Sequence, residues 1–208
     1  CIASLVADDN GNLYYKNDSG NIFCLSTRTS EDVLVSIADK GSVELSYAAV
    51  NAYDRNNDGS IDIDEVMYAT HEQYYEGGAA AGYASATGDY GAYITKLWGD
   101  ESGNFGYFVD DKMAMGLGDK VGRGQHVYAY INANSYPNND AYSYFETPAF
   151  DCETYAAASV KLIAQNGYDE NWSPKFEGYD KAQLKAYTAD LKTEADGFKA
   201  VSKGNGEY

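Results

Sequence analysis

Residues 54–65 read Asp54-Arg55-Asn56-Asn57-Asp58-Gly59-Ser60-Ile61-Asp62-Ile63-Asp64-Glu65, and this stretch decides how the middle of the chain is built. Asp54, Asn56 and Asp58 place side-chain oxygens at alternate positions, where a tight turn aims them at one point. Gly59 permits the backbone reversal that follows, Ser60 offers its carbonyl, and Ile61 is expected to pack into the core. Asp62 and Glu65 add further carboxylate oxygens. Such a set suits Ca²⁺, a hard ion that takes about six to eight oxygen ligands. The candidate metal ligands are therefore Asp54, Asn56, Asp58, Ser60, Asp62 and Glu65. Ile63, Val66, Met67 and Thr70 fall near helical spacing, which predicts a helix over Asp62–Tyr75 that Gly77-Gly78 stops.

The stretch resembles an EF-hand loop at each constrained position. The resemblance implies calcium binding with four carboxylates. Sensor EF-hands come in pairs and expose a Met-rich groove, whereas this chain has one such loop and 3 Met. A fastener for a module is the better expectation than a switch. Dockerins also place this loop before a helix but carry two copies, so a dockerin-like interaction module is an alternative.

The wider text "DRNNDGSIDIDEVMYATHEQYYEGGAAAGYA", "TKLWGDESGNFGYFVDD" and "GQHVYAYI" resembles a module of Gram-positive surface proteins. That module sets a calcium half-EF-hand in an α+β domain akin to transcobalamin-like C-terminal domains. The resemblance spans residues 30–147 and implies a β-grasp-like fold. His71 falls at a His of that pattern and reads as a capped or half-buried helix residue rather than a ligand. Fold analogy also suggests a flat ligand such as a corrinoid.

Outward from this centre the chain is rich in strand signals. Val33–Ala38, Tyr93–Trp98, Gly106–Val109, Gln125–Asn132 and Ala141–Phe145 read as strands, and Val43–Tyr53 is open between strand and helix. Within 126–131, Val127, Ala129 and Ile131 should face one way and His126, Tyr128 and Tyr130 the other. Residues 2–26 read as Ile2–Ala7, Leu13–Lys16 and Asn21–Ser26 joined by turns at Asp9–Asn12 and Asn17–Gly20. The string DDNGNLYYKNDSGNIFCLS resembles one blade of a quinoprotein-like β-propeller, which implies that residues 1–27 are the tail of an upstream domain. Residues 149–208 are turn-rich. Lys181–Lys192 has helix propensity, but the ending TEADGFKA…GNGEY resembles bacterial immunoglobulin-like repeats, so the segment is expected to be β and small-sandwich-like.

The expected class is α+β, mostly β, divided into a propeller-like remnant (1–27), a calcium-loop module (28–148) and an immunoglobulin-like module (149–208). The chain is expected to be cut from something longer.

With Lys plus Arg 15 against Asp plus Glu 32, the net charge is −17. This excludes a duplex nucleic-acid binder and disfavours docking on anionic lipid. No apolar run is long enough to span a membrane. Tyr is 21 of 208 residues against 7 Phe and 2 Trp, and that acidic, Tyr-rich balance suits the outside of a cell, where the resemblance implies a bacterial surface or secreted placement. Cys1, Cys24 and Cys152 show no metal-ligand spacing and read as buried free thiols, with pairing of Cys1 and Cys24 and lipid modification of Cys1 as alternatives. The sequons at Asn17 and Asn171 carry little in a bacterial chain.

No GxSxG or HExxH occurs, the two His are far apart in sequence, and the Gly77–Gly82 run reads as a turn rather than a phosphate cradle. The chain is therefore expected not to be an enzyme. Trp98, Tyr107, Tyr128, Tyr130, Tyr142 and Tyr144 are candidates for stacking on a glycan or small ligand, against the plainer reading of Tyr as the half-buried face of a sheet. The functional expectation is a calcium-binding structural or adhesive module with Ca²⁺ as its cofactor and a glycan or another surface protein as partner.

Overall fold

A computed structural model of the chain describes residues 5–7, 13–16, 19–25, 29–133, 140–153, 156–171 and 173–208. Cys1, the turn at Asp9–Asn12 and Trp172 lie outside the described residues, as do the start of the Ile2–Ala7 strand and the Cys24 side chain. In chain order the elements are β1 (Val6–Ala7), β2 (Leu13–Lys16), β3 (Ile22–Leu25), β4 (Ser30–Asp39), β5 (Ser42–Tyr53), α1 (Ile63–Tyr74) and α2 (Gly78–Gly82). They continue with β6 (Ala84–Gly88), β7 (Gly91–Lys96), β8 (Phe105–Val109), β9 (Lys112–Met113), β10 (His126–Ile131), β11 (Ser143–Phe145), β12 (Leu162–Tyr168) and β13 (Pro174–Gly178). The chain is mostly β, with helix confined to α1 and α2 among the described residues.

A five-stranded sheet in the order β5-β4-β10-β8-β9 forms the centre. β4 and β5 make a hairpin, α1 follows, and β10 returns parallel to β4 with His126 opposite Leu34 and Ile131 opposite Asp39. β10 also pairs antiparallel with β8. The stretch 43–53, ambiguous by periodicity, is strand because β4 supplies a partner over nearly its whole length.

One face of this sheet is aliphatic. Val33, Val35 and Ile37 of β4 and Val127, Ala129 and Ile131 of β10 pack with Ile61, Ile63, Val66 and Met67 into one buried core. The alternation along β10 is as the sequence implies, with buried and half-buried residues exchanging at each step. The other face carries His126, Tyr128 and Tyr130, and Tyr142 stacks on Phe108 of β8 at 3.8 Å.

β1, β2 and β3 form an antiparallel meander. β6 and β7 form a hairpin. β11, β12 and β13 form a third sheet, in which Tyr144 pairs with Ile163. That ladder runs across the boundary expected at 148/149, since β11 precedes it and β12 follows it.

Three local expectations are corrected. The Gly77–Gly82 run is not simply a turn: Gly77, at φ +86°, reverses the chain in the left-handed region and the short α2 follows. Residues 181–192, expected to be β, form no strand beyond the isolated bridge of Tyr187 to Glu194, and Asp190 closes a turn there by collecting the N–H groups of Lys192 and Thr193. Cys152 is free but exposed rather than buried.

Candidate metal centre and aromatic cleft

The 54–65 loop is wound on its own N–H groups. Asp54 accepts from Gly59 N–H at 2.8 Å and from Asp58 N–H at 3.2 Å. Asn56 Oδ1 accepts from Asp58 N–H at 2.8 Å, and Asp58 Oδ1 accepts from Ser60 N–H at 2.9 Å. Gly59 sits at φ +87°, a conformation most side chains would strain. Ile61 is buried in the core, as its position in the loop implies.

Glu65 joins the two ends of the loop. Its Oε1 accepts from Arg55 N–H at 2.6 Å and its Oε2 from Asp62 N–H at 3.2 Å. Asp62 returns the contact by accepting Glu65 N–H at 3.0 Å, which makes a capping box at the start of α1. The next two N–H groups of the helix, on Ile63 and Asp64, donate to the carbonyls of Asp119 and Leu117. The segment 117–121 thus runs along the loop, and Val121 N–H donates to Ile61 O at 2.9 Å. Arg55 lies over the ring of Tyr68 and ties the start of the loop to the helix.

Electrostatically the loop is short of positive charge. Asp54 and Glu65 are 3% and 2% exposed. Burial raises the pKa values of Glu65 and Asp62 above the ordinary carboxylate range, so their charged forms are penalised. Lys120 Nζ is 2.8 Å from Asp58 Oδ2 and 3.9 Å from Asp62 Oδ2. It holds the Asp58 carboxyl well below the usual range. Arg55, Asn56, Asp62, Asp64 and Glu65 line a small cavity of about 260 Å³ beside it.

Among the described residues, no group of three or more His, Cys, Asp and Glu is arranged to hold a metal ion. The side chains of Asp54, Asn56, Asp58, Asp62 and Glu65 and the Ser60 carbonyl offer oxygen only, the atom type Ca²⁺ takes, while oxygens of Asp54, Asn56, Asp58 and Glu65 accept backbone N–H groups of the loop.

His71 is fully buried rather than half-buried. Its Nδ1 bonds Met67 O at 2.6 Å and its Nε2 accepts Trp98 N–H at 3.1 Å, so it fastens α1 to the turn after β7. Burial pushes its pKa down to about 4.

The aromatic candidates separate into two groups. Tyr128, Tyr130, Tyr142 and Tyr144 line one cavity of about 520 Å³ on the outer face of the central sheet. Trp98 and Tyr107 pack instead against the aliphatic core, and Trp98 meets the rings of His71 and Tyr75. Tyr107 neighbours Phe108 on a strand, so the two must point to opposite faces.

Sequence reasoning missed Tyr47 and Ser36, which share that cavity. The only local signal was a Tyr-bearing strand of uncertain type. Ser36 reaches it by alternation along β4, and Tyr47 by a bulge in β5 whose position depends on pairing with β4. Compared with known proteins, the chain matches no family model, no curated protein and no solved structure.

Proposed function

We propose that this chain is a calcium-stabilised structural or adhesive module displayed outside a bacterial cell. The observation that carries the reading is the Asp54–Glu65 loop, in which Asp54 and Glu65 are both buried and Glu65 Oε1 accepts the N–H of Arg55, the residue next to Asp54, at the N-terminus of a core helix. A bound Ca²⁺ would offset the cost of burying that charge and would clamp the loop to α1 and to the 117–121 segment. In this role calcium supplies charge and coordination, not a reaction. Outside a cell, abundant calcium would keep even a weak site filled, stabilising the fold by RT ln(1 + [L]/Kd).

The central sheet supports a β-grasp assignment for residues 28–148. Its first hairpin, following helix and last strand returning parallel to the first give the order β5-β4-β10-β8 expected of that arrangement. The acidic, Tyr-rich composition supports the extracellular placement. The propeller-like and immunoglobulin-like neighbours at either end remain part of the proposal, with β11 shared across the second boundary.

Calorimetric titration of the full chain with Ca²⁺ tests the reading. It predicts one site that Glu65→Gln weakens by about 100-fold, since a bidentate charged ligand is lost. Saturable binding that is unchanged in Glu65→Gln, or no binding at all, would refute it.

A further inference from the structure

Opposite the core, β5 carries a bulge. Val35 pairs with Ala48 and Ile37 with Leu45, so Ser46 and Tyr47 together face the single residue Ser36. Tyr47 sits at φ +46°, a strained region that large side chains avoid. Its conformation is fixed from two sides. Its N–H donates to Ser36 Oγ at 3.0 Å, and its ring stacks on His126 at 4.1 Å with 17° between planes. His126 Nε2 in turn lies 2.8 Å from Ser36 Oγ. A strained residue clamped this firmly is a feature of binding sites more than of packing, because a glycine would make the same bulge without strain.

We infer that the cavity beside Tyr47 is a binding site for a neutral saccharide, with the Tyr47 ring as its stacking platform. The volume of about 520 Å³ lies within the range of small-ligand sites and suits one or two sugar rings. Tyr47 is 39% exposed and Phe145 40% exposed, so aromatic surface stays open at the mouth. A pyranose ring presents C–H bonds of slight positive charge on one face, which complements the negative face of a tyrosine ring. Its hydroxyls both donate and accept, and the wall offers Asp140 as an acceptor and Lys40 as a donor.

Charge selects against an anion, which Asp140 and the overall −17 oppose. Lys40 is balanced by Asp100 at 2.7 Å and lies 3.9 Å from Asp39, so a cation is the competing ligand that the test must exclude. The cavity draws on β4, β5, β10 and residues 140–148. None of these is in the 54–65 loop, so the inference stands apart from the calcium reading.

The test is a ¹⁵N NMR titration of the full chain with methyl glycosides of glucose, galactose, mannose and N-acetylglucosamine and with cellobiose and chitobiose, run in Ca²⁺ and again in EGTA. At least one sugar is expected to bind with Kd of about 0.1–1 mM and to shift the amides of Tyr47, His126 and Ser143. Tyr47→Gly removes the platform and relieves the strain, so it should weaken binding at least about tenfold while the melting temperature holds or rises. No shift with any sugar at about 20 mM would overturn the inference. So would binding that Tyr47→Gly leaves intact, or tetramethylammonium occupying the same residues more tightly than every sugar. A missing calcium response with sugar binding retained would count against the loop alone.

Discussion

On the α1 side of the central sheet, Val35, Ile37, Val127, Ala129 and Ile131 meet Ile63, Val66 and Met67, and the contact is dry and aliphatic. On the opposite side Phe108, Tyr128, Tyr130, Tyr142 and Tyr144 stack among themselves and against Phe176 of β13. The first face is specified by volume, since branched side chains fill it without needing partners. The second is specified by ring geometry and by hydroxyls that require acceptors, as where Tyr142 Oη donates to Asp111 at 2.6 Å. Rings stacked at fixed angles do not close a surface completely, and the cavity lies on this face. A single sheet therefore has one side closed by aliphatic packing and one side that keeps a cavity, and the 54–65 loop is attached to the closed side.

That contrast can be broken most severely at Met67, which is fully buried on the core face of α1. Met67→Ala should cost about 2–5 kcal/mol in denaturant unfolding. A loss below about 1 kcal/mol would mean that the face is not closely packed. Acid attacks the same side through His71. The unfolded chain takes up this proton near pH 6.5 and the folded chain only near pH 4, so stability from the neutral ring is complete above 6.5 and is lost as pH falls to about 4. The expected loss is about 3 kcal/mol, and the share of the slope in that window that comes from this ring should be absent in His71→Gln.

The aromatic side should respond more mildly. Tyr142→Phe keeps the ring stack and removes only the bond to Asp111, for an expected cost of about 1.5 kcal/mol and no change in calcium affinity. A change in calcium affinity would show that the two faces are coupled. The smallest effect is expected at exposed Lys120, where Lys120→Met removes the cation beside Asp58 and should raise calcium affinity by about two- to fivefold in calorimetry. Weaker binding would assign Lys120 a supporting role in the loop instead.

The sequence was most readable where local pattern suffices. The loop glycine, the helix beginning near Asp62 and the alternation along β10 all follow from spacing over a few residues. It was least readable where a side chain's direction depends on a distant partner. Trp98 resembled the other surface aromatics, but a turn at φ +49° delivers it to His71. Ser36, His126 and Tyr47 come from three strands, and only the β4–β5 register and the parallel β4–β10 pairing bring them together. Segment 181–192 has helix-forming residues, yet Asp190 satisfies the local N–H groups first.

The calcium claim is tested most directly by thermal unfolding of the intact chain in millimolar Ca²⁺, in millimolar Mg²⁺ and in excess EGTA, with Glu65→Gln run in parallel. At free calcium about 100 times Kd the stabilisation is about 2.7 kcal/mol, which for a chain of this size raises Tm by about 5–10 °C. The account predicts that rise with Ca²⁺, little of it with Mg²⁺, and none in Glu65→Gln. Equal melting temperatures in Ca²⁺ and EGTA for the unaltered chain would contradict it and leave the loop as an acidic cap on α1.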